Sequence, residues 1–398
     1  MISLKIPFQS IVLVRVDYNL PDKTLPVTVV TDENTNNSNV FTPNAEVSTG
    51  ENKEITTNHR IAVTKKLILE LLNEGCKVVL ITHLGRPEGF DQLLSTKTLI
   101  GSIENDLGRE CQYINQYLGF KLGKEEISAS KCNLFVLENT RFATQETSND
   151  VVVLNDWAME YSTLGSYFVD EAFAVSHRKE STNFYLKKYL PWSYGYRYLI
   201  ETNNLQKVFY GTRPILAIMG GSKLETKLKL IRKILDRCDK LIITGMLSYT
   251  FIAAGIEQGM DLPPLFDSKV DNTFLAEAKD LLLRFKDKII LPKDLIYGFD
   301  EANKKVCAYD TGFITNELVA SEVLKYKTIF YNGPCGDIDN PLYKQGTTHL
   351  INKLMTLRDT FVIIGGGDTV GMIDYENYDK FDFISTGGGA SLDYLSDL

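Results

Sequence analysis

Short apolar runs that do not alternate with polar residues recur along this chain, separated by longer stretches of helical period. In the first half the runs fall at residues 11–16, 77–81, 134–137 and 166–169. Alternation would mark a strand with one wet face, so its absence predicts strands buried on both faces. Between them, apolar residues at 61, 63, 68, 69, 71 and 72 predict a helix that stops at Gly75. The second half repeats the design, with strands predicted at 215–219, 241–243, 289–291, 327–331 and 361–364 and a helix over 247–259. Strands separated by helices pair in parallel, and two such series predict an α/β protein of two doubly wound parallel-sheet (Rossmann-like) domains.

The run at 191–195 and a helical stretch over 196–210 read as a connection between the halves, a hinge helix. The boundaries that follow are 1–190 for the first domain, 191–212 for the connection, 213–391 for the second domain and 392–398 for a short terminal segment. Residues 22–54 are polar and rich in Asn and Thr, with one short strand predicted around 27–30, and read as a surface insertion. Length agrees with two domains, since 398 residues exceed what one core usually supports.

Charge and cysteine usage narrow the function classes. Forty-three basic against fifty-one acidic residues leave −8, which argues against general nucleic-acid binding. Positive charge for an anionic substrate must then be gathered locally. No run of some 18 apolar residues occurs, and the first ten residues lack the pattern of a signal peptide. Six cysteines without CxxC spacing are neither a zinc set nor a disulfide frame and point to a reducing cytoplasm.

The candidate chemistry stands where the predicted strands end. Asp17 and Asn19 follow the first, His83 and Arg86 the second, Arg141 the third, and Arg178 comes shortly after the fourth. A single such residue reads as surface charge, but four successive strand ends form a basic patch suited to a small, multiply charged acid or phosphate. In the second half the strand ends are glycine turns. Gly365, Gly366 and Gly367 precede Asp368 and Thr369, good residues for starting a helix, and Gly387, Gly388 and Gly389 repeat the device. Such turns let the backbone approach a ligand and aim unpaired N–H groups at phosphate. Gly220 and Gly221 precede Lys223, with Lys227 one helical turn further on; the spacing is not that of a Walker A loop. No GxGxxG opens the first βαβ unit, so a dinucleotide-dependent dehydrogenase is disfavoured.

Taken together these loops resemble the phosphoglycerate kinase family over nearly the whole chain. VLVRVDYNLP (12–21), ITTNHRI (55–61), ITHLGRP (81–87), LENTRF (137–142) and DEAFAVSHR (170–178) follow in the family's order. GGSKLETK (220–227), DKLIITG (239–245), YNGPCG (331–336), GGGDT (365–369) and STGGGAS (385–391) continue it. The resemblance implies a cytoplasmic, glycolytic, hinge-bending kinase, acting as a monomer on 1,3-bisphosphoglycerate and ADP to give 3-phosphoglycerate and ATP, with Mg²⁺. Neither a membrane nor a nucleic acid is an implied partner. By matching position, Asp17, Asn19, Arg60, His83, Arg86, Arg141 and Arg178 would hold the phosphoglycerate. Gly221, Lys223, Lys227, Gly245, Asn332, Pro334, Asp339, Gly365, Gly366, Gly367, Asp368 and Thr369 would hold the nucleotide, with Asp368 reaching Mg²⁺. Arg60, Lys227, Gly366 and Gly389 would carry catalysis by stabilising the moving phosphoryl group.

The chain departs from the family's pattern in places. Thr244, Gly245 and Met246 stand where three glycines are usual, which predicts two side chains intruding on the adenine slot. Asp339 replaces a longer Glu that contacts ribose, Thr226 replaces an Asp, and the chain stops at Leu398, short of the family's usual terminal segment. The alternative reading is a catalytically weakened relative that serves as a binding or scaffold protein.

Overall fold

The computed structural model describes residues 6–19 and 59–398. The 22–54 insertion and its strand around 27–30 lie outside these. The chain divides into two compact units, Met1–Leu199 and Ile200–Leu398. That division falls inside the helix Tyr196–Leu205.

The first unit is built on six parallel strands: β1 (Ile11–Arg15), β2 (Lys77–Ile81), β3 (Gln112–Ile114), β4 (Leu134–Leu137), β5 (Tyr167–Asp170) and β6 (Trp192–Tyr194). Their order is β3-β4-β2-β1-β5-β6, all pairs parallel. The pleat sends alternate residues into two separate cores. Val12, Val14, Val78, Leu80, Val136 and Val169 pack with Leu67, Ile68 and Ile103 of the helices on one face. Leu13, Val79, Ile81, Phe135, Leu137 and Phe168 pack with Ile127, Leu154 and Tyr161 on the other. A run that is apolar at every position is therefore what a strand between two helical layers needs. Because β1 lies between β2 and β5, the chain reverses its winding there, the place where open parallel sheets present their ligand-binding loops.

The second unit repeats the plan with β7 (Ile215–Met219), β8 (Lys240–Ile243) and β9 (Ile289–Ile290), an antiparallel hairpin of β10 (Leu295–Asp300) and β11 (Lys305–Thr311), then β12 (Thr328–Asn332), β13 (Phe361–Gly365) and β14 (Phe383–Ile384). The parallel sheet runs β14-β13-β12-β7-β8-β9. Two doubly wound parallel α/β sheets are thus the architecture.

Several elements differ in detail from the sequence expectation. The periodic stretch after residue 59 is two helices, His59–Ala62 and Lys65–Asn73, because the Thr64 hydroxyl donates back to the Ile61 carbonyl at 2.8 Å. Part of the expected connection, 191–195, instead forms the edge strand β6. Residues 392–398 belong largely to the helix Gly389–Asp397, whose Asp397 pairs with Lys229 at 2.5 Å. No helix among the described residues is long and apolar enough to cross a membrane.

Candidate functional site

In the first unit the loops beyond β1, β2, β4 and β5 converge around His83. Arg15, the last residue of β1, is wholly buried and donates to the carbonyls of Val16 at 2.7 Å and Ile81 at 3.2 Å. Its guanidinium lies 3.4 Å from His83 Nδ1. Burial first, and then the charges of Arg15, Arg141, Arg178 and Arg60, hold the imidazole far below its ordinary range. His83 is therefore neutral, a donor and acceptor in the middle of a cationic cup.

Each arginine of the cup is steered by a short polar contact. Arg60 is paired with the Asp17 carboxylate. Arg141 donates to the Gly85 carbonyl at 2.9 Å and to Glu180 Oε1 at 3.0 Å, while its Nε is buried with no acceptor. Arg178 Nη1 lies 3.8 Å from the same Glu180 oxygen and, though buried, makes no hydrogen bond. Burial, with Arg141 and Arg86 nearby, lowers the proton affinity of Arg178 against the opposing pull of Glu180. Asn19 ties two loops together by accepting from the Gly85 N–H at 2.8 Å. The six residues expected from the strand ends, together with Arg60, thus gather at one place, where guanidinium N–H groups of Arg141 and Arg178 are buried without an acceptor among the described residues.

The glycine turns of the second unit gather in the same way. A Cβ on Gly220 would meet the carbonyls of Gly333 and Pro334, so only glycine lets the β7 and β12 turns pass this closely. Gly220 N–H donates to Asn332 O at 2.9 Å, and Gly221 N–H to Pro334 O at 2.8 Å. Beneath them Lys227, at 8% exposure, donates to the Gly220 carbonyl at 2.5 Å. Burial lowers its pKa to about 8, with the Asp368 carboxylate pulling the other way. Asn332 Nδ2 is buried with no acceptor. Gly366 turns the chain at φ 89° into the short helix Gly367–Val370, and Thr369 Oγ1 accepts from the Gly333 N–H at 2.9 Å. In the second cradle, Ser385 and Thr386 are held by the buried Glu201 carboxylate.

Over these turns lies a cleft of about 360 Å³, within the usual size for small-ligand sites. Gly221, Gly245, Pro334 and Asp368 line it, together with Met246, Tyr249, Cys307, Tyr309 and Asp337. Lys223, Lys227, Asn332, Asp339, Gly365, Gly366, Gly367, Thr369 and Gly389 are not part of its wall. Thr244 corrects one expectation. Its side chain is 1% exposed and faces a separate small cavity with Thr311 and Cys335, so only Met246 reaches into the slot.

A model of the phosphoglycerate kinase family matches residues 30–397. The chain belongs to the phosphoglycerate kinase family. The chain is 32% identical over 406 residues to a phosphoglycerate kinase of Helicobacter pylori, covering 96% of this chain and 90% of that one. Against a phosphoglycerate kinase of Dictyoglomus turgidum identity is 29% over 403 residues, covering 96% and 92%. The solved phosphoglycerate kinase structure from Coxiella burnetii shares the fold with a TM-score of 0.74 at 24% identity, covering 98% of this chain and 94% of that one.

Phosphoglycerate kinases are glycolytic kinases that use ATP and ADP, and the cleft suits that use. No group of three or more His, Cys, Asp or Glu side chains among the described residues could hold a metal by itself. Of the carboxylates that line the cleft, Asp368 opens the short helix after the Gly365–Gly367 turn, an arrangement that fits Mg²⁺ carried in on nucleotide phosphates, which is how this ion is usually held.

Sequence reading missed the β10–β11 hairpin, which brings Asp300, Cys307, Ala308 and Tyr309 to the cleft. It also gave no role to Arg15 or Glu180. An arginine inside an apolar strand was the available signal for the first.

Proposed function

We propose that this chain catalyses reversible phosphoryl transfer between 1,3-bisphosphoglycerate and ADP, giving 3-phosphoglycerate and ATP. In the ATP-consuming direction a carboxylate oxygen of 3-phosphoglycerate attacks the γ-phosphorus. The bond to the ADP oxygen breaks as the acyl phosphate forms, so no protein nucleophile is needed. The guanidinium N–H groups of Arg141 and Arg178 receive the acceptor's phosphate, Arg86 adds charge, and Asp17, Asn19 and neutral His83 orient its carboxyl end. The glycine turns and Lys227 receive the nucleotide phosphates. Asp368 would hold Mg²⁺ together with the nucleotide phosphates, and the ion would supply charge neutralisation there. Arg60 and Lys227, with backbone N–H groups near Gly366 and Gly389, stabilise charge on the transferring group.

The observation that carries this reading is the setting of His83, with the Arg15 guanidinium 3.4 Å from its Nδ1 and Arg141 and Arg178 gathered nearby on Glu180. Such a concentration of cations in a chain of net charge −8 has no structural need and fits a small multiply charged acid. Both sets of residues lie on one chain, which suits a monomer, and its six cysteines are free thiols, which suits the cytoplasm. A coupled assay with 3-phosphoglycerate and Mg-ATP tests the reading. Turnover that requires both substrates and stops on chelation is expected. Arg60→Ala should lower kcat by roughly 10³-fold or more, as for other arginines that stabilise transferring phosphoryl groups. Binding of both ligands without turnover would favour the non-catalytic relative.

A further inference from the structure

The loops beyond β4 and β5 are joined beside the cationic cup. Glu146, in the helical turn Thr144–Thr147, is wholly buried, and its Oε1 accepts from the Thr182 hydroxyl at 2.6 Å and the Thr182 N–H at 3.3 Å. The neighbouring residues repeat the join, the Ser181 hydroxyl donating to the Gln145 carbonyl at 3.2 Å. Glu180 stands two residues before Thr182, with its own N–H tied to Asn183 Oδ1 at 3.1 Å. The carboxylate that gathers the arginines is therefore anchored, through two residues of backbone, to a second buried carboxyl group.

Three atoms here are left over. Glu146 Oε2, Glu180 Oε2 and Arg15 Nε are buried without a hydrogen-bond partner among the described residues. Arg15 spends Nη1 on the Val16 and Ile81 carbonyls and turns Nη2 toward His83, so Nε is its remaining donor. Glu180 Oε2 lies 4.0 Å from Arg15 Nη2, too far for a hydrogen bond. Burial raises the Glu146 pKa to about 8, and Arg15 and Glu180 are the charges that act on it, which sets the three groups at one place. An anion would answer Arg15 but would face two carboxyl groups. Water answers all three, since it both donates and accepts, and a buried water with about three partners is how proteins complete such a set.

We propose that Glu146 is a positioning residue for the acceptor: with Arg15 and Glu180 it holds an internal water, and that water fixes the carboxylate on which Arg141 and Arg178 are gathered. Glu146 itself touches no substrate. It acts through Glu180, so its loss loosens the guanidiniums that receive the acceptor's phosphate. This rests on the kinase reading above.

Calorimetry on the full chain at pH 7, with 3-phosphoglycerate and with Mg-ADP as the control, tests the proposal. Glu146→Leu should weaken 3-phosphoglycerate binding roughly tenfold, the size of a hydrogen bond to a charged group, and leave Mg-ADP within about twofold. Glu146→Gln, which keeps an acceptor and a donor without a charge, should stay within about threefold of the unaltered chain. In a Glu180→Ala background, Glu146→Leu should cost less than about twofold more, because the path from Glu146 to the arginines is gone. A high-resolution crystal structure of the unaltered chain should show one water within hydrogen-bond distance of Glu146 Oε2, Glu180 Oε2 and Arg15 Nε, a result that counts even if Glu146→Leu fails to fold. Absence of that water overturns the proposal. So do equal losses in Glu146→Gln and Glu146→Leu, or losses from Glu146→Leu and Glu180→Ala that simply add. If the chain binds 3-phosphoglycerate as expected but does not turn it over with Mg-ATP, the kinase reading fails and the positioning role stands. A chain that binds no 3-phosphoglycerate overturns both.

Discussion

Glu180 Oε1 accepts from Arg141 Nη2 at 3.0 Å, and the same carboxylate is 3.8 Å from Arg178 and 4.0 Å from Arg15. One buried acid thus sets the spacing of three guanidiniums. Its removal takes away an orienting acceptor and also a negative charge, two effects of opposite sign on anion affinity. Orientation should win, because a bidentate grip on phosphate depends on the planes of the guanidiniums more than on the net field. We expect Glu180→Ala to raise the KM for 3-phosphoglycerate about tenfold with kcat within roughly threefold, a charged hydrogen bond's usual size. Steady-state kinetics on protein with a cooperative melt checks this. A lowered KM would show that the field dominates.

Met246 and Thr244 were both expected to crowd the base, yet only Met246, 41% exposed, lines the cleft. Met246→Gly should therefore tighten or broaden nucleotide binding by itself. Thr244→Gly should give no gain in affinity and should cost stability, since Thr244 is buried and lines a small cavity that loss of its side chain would enlarge. Calorimetry with Mg-ADP on the two single variants separates them. Equal gains from both would put the Thr244 side chain back in the slot.

Lys227 has a pKa lowered to about 8, first by burial. Below that pH the amine is charged and can hold phosphate; above it the free protein loses the charge. The KM for the nucleotide should accordingly rise as pH increases through about 8. Lys227→Arg, charged throughout, should flatten this limb even if it lowers kcat. A KM that is level from pH 7 to 9.5 in the unaltered chain would exclude the role.

Burial raises the Glu146 pKa to about 8, with Arg15 opposing and Glu180 adding to the rise. The sign for stability follows directly. The folded state holds a proton that the unfolded state gives up above about 4.5, so Glu146 costs increasing stability as pH climbs from there to about 8, and no more beyond. Glu146→Gln keeps the oxygen that accepts from the Thr182 hydroxyl at 2.6 Å. It should raise Tm at pH 8.5 and leave it unchanged near pH 4.5, at roughly 2–4 °C for each kcal/mol recovered. A Tm difference independent of pH would refute this.

How much of this was legible depended on whether local pattern or tertiary placement decides. The buried strands and glycine turns could be read because each is a local device with its own pattern. The β10–β11 hairpin could not, because a register shift between Ile296 and Tyr297 breaks the alternation that would reveal it. β3 and β6 are three residues each, too short to show a period. Glu180 looks like any surface charge in a polar stretch; only the fold buries it between arginines. Thr244 faces inward because Gly245, at φ 61°, turns the chain just after it, a choice that residue type alone does not announce.

The central place of β1 has a consequence for synthesis. Val12 pairs with Val78 on one side and with Tyr167 on the other. The earliest described strand is thus among the last to be enclosed, since β5 must leave the ribosome before its second edge is covered. Until then an apolar ribbon with an unpaired edge waits in the open, the condition that invites misassembly and chaperone capture. A circular permutant with new termini between β2 and β3 would have β5 synthesised before β1, which changes the order in which the sheet is completed.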